Sequence, residues 1–61
     1  MKNELHYACV ENGHIWASWY DIDKRCWESI TLYGYSRTDA IAHLRHEFGL
    51  RVPKSALGYG F

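Results

Sequence analysis

The dipeptide Asn12-Gly13 stands between two runs, Leu5 to Val10 (LHYACV) and His14 to Tyr20 (HIWASWY), that are rich in residues suited to a pleated surface. Asn-Gly is the strongest short-range hairpin signal, because a type I′ turn needs positive φ at both central residues. As a two-residue loop it also sets the register. Glu11 then pairs with His14, Val10 with Ile15, Cys9 with Trp16, Ala8 with Ala17, Tyr7 with Ser18 and His6 with Trp19.

That register sorts the side chains, since successive residues of a strand point to opposite faces. His6, Ala8, Val10, Ile15, Ala17 and Trp19 share one face; Leu5, Tyr7, Cys9, Trp16, Ser18 and Tyr20 share the other. Asp21 to Arg25 is a charged connector. Cys26 to Tyr33 (CWESITLY) reads as a third strand, with Cys26, Glu28, Ile30 and Leu32 joining the first face and Trp27, Ser29, Thr31 and Tyr33 the second.

Ser36-Arg-Thr-Asp39 is close to a capping box, and an acidic first turn complements the helix dipole. The spacing predicts a helix over Arg37 to Phe48 with Ala40, Ile41, Leu44 and Phe48 on one stripe, Gly49 as its stop, and Asp39, Ala42, His43 and His46 in water. Leu50 to Val52 adds a short fourth strand before Pro53 ends it. The fold expected is α+β: one domain over residues 1–61, a three-stranded antiparallel sheet packed on one helix, in the order βββα, with that short strand as an extension.

A chain of 61 residues buries only about 60% of its unfolded surface, so small domains of this kind lean on disulfides, a metal or a partner subunit. Disulfides are disfavoured here. Cys9 and Cys26 fall on opposite faces of outer strands, roughly 10 Å apart at ordinary strand spacing, and are expected to be reduced, half-buried thiols. For a metal, His43 and His46 are three apart on the helix, with His6, His14, Cys9 and Cys26 as further donors. No spacing pattern joins them, so solvated histidines, and neither metal nor cofactor, are expected.

The remaining option is a partner. One narrow helix covers about one face of such a sheet, and an antiparallel sheet normally leaves the other face polar. Val10, Ile15, Ala17, Trp19, Ile30 and Leu32 are the core expected against Ile41, Leu44 and Phe48. The other face carries Tyr7, Trp16, Tyr20, Trp27 and Tyr33 among small hydroxyl residues, a mixture typical of contact surfaces. These five are the candidate partner-binding residues. In the competing arrangement Leu57, Tyr59 and Phe61 fold back over that face and turn the rings into ordinary core.

No nucleophile, base and orienting group stand in a recognisable catalytic pattern, so no enzyme is expected. Lys+Arg and Asp+Glu are equal at 7 each, which provides no general attraction to phosphate. Base stacking on the open rings makes single-stranded nucleic acid the alternative partner, less favoured because Lys24, Arg25, Arg37, Arg45, Arg51 and Lys54 lie off that face. The first residues lack the apolar run of a signal peptide, and nothing approaches a membrane span; a cytoplasmic protein is expected.

"ENGHIWASWYDID" followed by "YGYSRTDAIAHLRHEFG" resembles the N-terminal domain of HicB-like antitoxins over Leu5 to Gly49. The shared pattern is a strand, an acidic-Gly turn, a strand ending near Asp, a third strand, and Gly-x-Ser opening a helix with an Ala-Ile pair. The resemblance implies a partial RNase H-like βββαβ module that dimerises and blocks a small RNA-cleaving toxin. Gly34, Ser36, Ala40 and Ile41 carry over as fold-determining positions. Tyr20 to Arg25 replaces the family's Pro-Asp-Leu-Pro-Gly type of segment, and residues 50–61 hold no counterpart of the family's C-terminal DNA-binding domain. A free-standing inhibitor of a larger protein, of the kind encoded by phages or mobile elements, fits the same features.

Overall fold

A computed structural model describes residues 2–61. Three strands, β1 (Leu5–Glu11), β2 (His14–Asp21) and β3 (Cys26–Tyr33), form an antiparallel sheet in chain order. They are followed by α1 (Arg37–Glu47) and a short 3-10 turn, Lys54–Ala56. The fold is α+β, as the sequence predicts.

Asn12 and Gly13 take φ of 49° and 79°, the positive pair a type I′ turn requires, and the register from Glu11↔His14 to Tyr7↔Ser18 follows from it. The second hairpin is held differently. Oδ1 of Asp21 accepts from the backbone N–H groups of Asp23 (3.0 Å) and Lys24 (3.1 Å), while Oδ1 of Asn3 accepts from that of Ile22 (3.1 Å). Ser36 caps α1 by accepting from the backbone N–H of Asp39 (3.1 Å). Gly49 at φ 64° ends it, one residue after the cap Phe48.

One pairing departs from expectation. Leu5, not His6, lies opposite Trp19, because β1 carries a bulge between Leu5 and Tyr7. The extra residue reverses the facing of everything before it. Leu5 turns into the core and His6 turns out to solvent, which places the apolar chain indoors and leaves the imidazole hydrated.

The core lies between the sheet and the helix. Leu5, Ala8, Ala17, Trp19, Leu44, Leu50 and Ala56 form one cluster, and Ile15, Leu32 and Ala40 another, joined by the half-buried Ile30 and Phe61. Small residues at 8, 17 and 40 let the layers approach closely. Ile41 is only half-buried, and Phe48, 39% exposed, contributes by lying against Trp19 with ring centroids 5.1 Å apart. His43 is half-buried as well, edge-on to Tyr35 (5.2 Å) and Phe48 (5.7 Å), rather than standing in water.

The chain after α1 settles which face is covered. Leu50 and Ala56 are buried on the helix side, and Phe61 packs there too. The backbone runs along the outer edge of β1. Leu5 donates to the carbonyl of Arg51 (2.9 Å), Arg51 to that of Asn3 (2.9 Å), Gly58 to that of Ala8 (2.7 Å) and Val10 to that of Tyr59 (2.7 Å). The fourth strand expected at 50–52 is thus reduced to one isolated parallel bridge, Glu4↔Arg51, with a second, Ala8↔Leu57, beyond Pro53. Pro53 has no N–H to continue a ladder, and the 3-10 turn carries Ala56 inward between the bridges.

Candidate contact face

With helix and tail on one side, the other side of the sheet is uncovered. Tyr7, Trp16, Tyr20, Trp27 and Tyr33 all project from it, at 39, 37, 40, 60 and 74% exposure. The tail does not fold over them. Tyr59, which the competing arrangement would bury, is 77% exposed.

The rings gather at two ends of the face. At one end Trp27 stands edge-on to both Tyr20 (5.6 Å) and His6 (5.0 Å), so the bulge that expels His6 also supplies a third ring. At the other, Tyr7 leans on Trp16 (6.5 Å) and His14 on Tyr33 (5.6 Å). Ser18, Ser29 and Thr31 lie between, with Cys9 buried beneath the rings. His6 and His14 are members that the sequence reading left out. Stepping back two residues from Trp16 reaches His14, whereas His6 depends on the bulge.

Beside the first cluster, a shallow cleft of about 220 Å³ opens between His6, Tyr20 and Trp27 on one wall and Pro53, Ser55 and Ala56 on the other, with Glu4 at its rim. It is large enough for one side chain of a partner. Tyr7 closes the face toward β1: its ring occupies the space that a Cβ on Gly58 would need, so this glycine is what lets the tail pass so close.

Electrostatics separate this face from a phosphate-binding one. None of the three strands contains Lys or Arg. Arg37 donates to the carbonyl of Gly60 (3.0 Å) and Lys24 faces Glu28 (3.7 Å), while Arg51, near the cleft, is paired with Glu4 at its rim (3.8 Å). The backbone N–H of Lys24 foremost, opposed by desolvation and aided by the Asn3 side chain and the N–H of Asp23, holds the Asp21 carboxyl below the usual carboxylate range.

Both cysteines are free thiols on opposite faces, Cys9 buried and Cys26 exposed rather than both half-buried. Desolvation, and then the Glu28 carboxylate 3.6 Å from its sulfur, push the Cys26 thiol up, which disfavours the nucleophilic thiolate. Among the described residues no three His, Cys, Asp or Glu side chains converge on a metal position, and no helix is long and apolar enough to cross a membrane.

No protein-family model, curated protein or solved structure matches this chain. The physical character of the face therefore carries the functional reading.

Proposed function

We propose that this chain is a non-enzymatic protein-binding module that presents Tyr7, Trp16, Tyr20, Trp27 and Tyr33 to another protein, either a second copy of itself or a larger target. The observation that carries this reading is the uncovered aromatic face: the helix and the apolar side chains of the tail pack on the opposite side, the tail backbone follows the edge of β1, and the five rings keep 37 to 74% of their surface exposed. Contiguous apolar patches of more than a few hundred Å² are uncommon on monomers and mark contact surfaces, and Tyr and Trp are prominent among residues that dominate binding energy.

The likeness to HicB-like antitoxin domains points the same way, toward an antitoxin-like or phage-type inhibitor that acts by covering a larger protein's surface in the cytoplasm. The cleft beside Trp27 would seat one side chain of that target. Aromatic stacking would also suit unpaired bases, but strands without Lys or Arg lack the basic groove such binding uses.

Recovery of partners from host cells by the tagged chain, with Trp16→Ala as the matched control, tests the proposal. A protein retained by the native chain and lost by a Trp16→Ala variant of unchanged circular dichroism supports it. Retention of single-stranded oligonucleotides that weakens steeply with salt would replace it with the nucleic-acid reading. Equal recovery by both chains would count against this face.

A further inference from the structure

The sheet has two edges, and they are treated differently. Three backbone hydrogen bonds from the chain around Arg51 and Gly58–Tyr59 occupy the outer edge of β1, with a fourth to Asn3 just before it, and the strand is also bulged. The outer edge of β3 has no neighbour among the described residues. Of the usual protections it has only the charge of Glu28: there is no proline, no lysine, no arginine and no bulge in its eight-residue pairing with β2.

The direction of its free groups follows from the ladder. Ala8 and Val10 bond outward to the tail, so beyond the bulge Tyr7, Cys9 and Glu11 bond to β2. Through the register, Ile15, Ala17, Trp19 and Asp21 must then bond to Leu32, Ile30, Glu28 and Cys26. The N–H and C=O groups of Trp27, Ser29, Thr31 and Tyr33 are left pointing outward.

We infer that β3 pairs antiparallel with β3 of a second copy of this chain, about a two-fold axis through Ile30. This deepens the self-association in the proposed function and rests on it. In that register Trp27 meets Tyr33 of the other copy and Ser29 meets Thr31, so every outward group finds a partner and about eight backbone hydrogen bonds form. Centring the axis on Ser29 instead leaves Tyr33 unmatched. The two most exposed rings of the open face, Trp27 at 60% and Tyr33 at 74%, are the pair brought together.

Charge and symmetry allow the match. Glu28 is the strand's one acidic residue; it lies near Lys24 and, across the dyad, about 13 Å along the strand from its equivalent, beyond the screening length of roughly 8 Å. The axis runs normal to the sheet, so both helices fall on one side and both aromatic faces on the other. A six-stranded sheet results, with one continuous ring-lined surface for the larger target.

Amide hydrogen exchange on the native chain, followed by NMR as concentration rises, reads the inference residue by residue. The expected result is protection of Glu28, Ile30 and Leu32 at all concentrations, with protection of Trp27, Ser29, Thr31 and Tyr33 gained as sedimentation shows twice the protomer mass of 7.2 kDa. Thr31→Pro removes one outward N–H, a change an edge strand tolerates, and should leave a folded monomer. Should that variant not fold, a chain with Ser29→Lys and Thr31→Lys should stay monomeric alone and pair with one carrying Ser29→Glu and Thr31→Glu. A dimer in which the four amides stay fast-exchanging would overturn the edge while leaving the aromatic-face reading intact. A monomer up to about millimolar concentration would overturn self-association and leave only the larger partner.

Discussion

The two faces of the sheet are made from the same three strands, yet they are finished in opposite ways. On the helix side, small residues and a few aliphatic chains are packed until Ala8, Ala17, Ala40 and Leu44 lose all contact with water. On the open side, five large amphipathic rings are spread over serine and threonine, and none is fully covered. The lesson is that stability is concentrated on one face. In a chain this small, where one core must support the whole fold, aromatic surface left outside it is available for contact.

The sharpest test of that division is Leu44→Ala, which removes a fully buried side chain from the helix side. A loss of about 2–5 kcal/mol in urea unfolding is expected, enough to leave much of the chain unfolded at 37 °C. Gly58→Ala probes the boundary between the faces. Its methyl group must displace the Tyr7 ring, and a cost of about 1–3 kcal/mol is expected, together with altered exposure of Tyr7 and Trp16 read by fluorescence or NMR. A neutral outcome would mean that the tail is not anchored against the rings.

The smallest effect belongs to the hairpin at Asp21, away from both clusters. Its carboxyl is held below the usual range in the folded state, so its contribution is present above the ordinary carboxylate pKa of about 4 and fades as pH falls through the folded value. Replacement by Asn should remove that contribution at neutral pH, leave stability in strong acid nearly unchanged, and so flatten the acid limb of the profile. An unaltered acid limb would show that the backbone bonds to Asp23 and Lys24 do not hold in solution.

Local chemistry made much of this legible in advance. Asn12-Gly13 fixes the first register, alternation places Trp16 and Trp19 on opposite faces, and Ser36 and Gly49 bound the helix within a residue. What escaped is non-local. Strict alternation from the Asn12-Gly13 turn points His6 inward, and the apolar character of Leu5 prevails only through a bulge that answers to a core completed by Leu50 and Ala56, about fifty residues further along. The tail's course along β1 is likewise set by edge groups and by the space above Gly58, which no periodicity records.

Sedimentation velocity on Trp27→Ala beside the native chain tests the central claim most directly, because this ring belongs both to the open face and to the free edge. The account predicts a native chain that associates as concentration rises and a variant that stays monomeric, its unfolding free energy in dilute solution within about 1 kcal/mol of native. A variant that associates as the native chain does while losing several kcal/mol of stability would show that the open face is core after all.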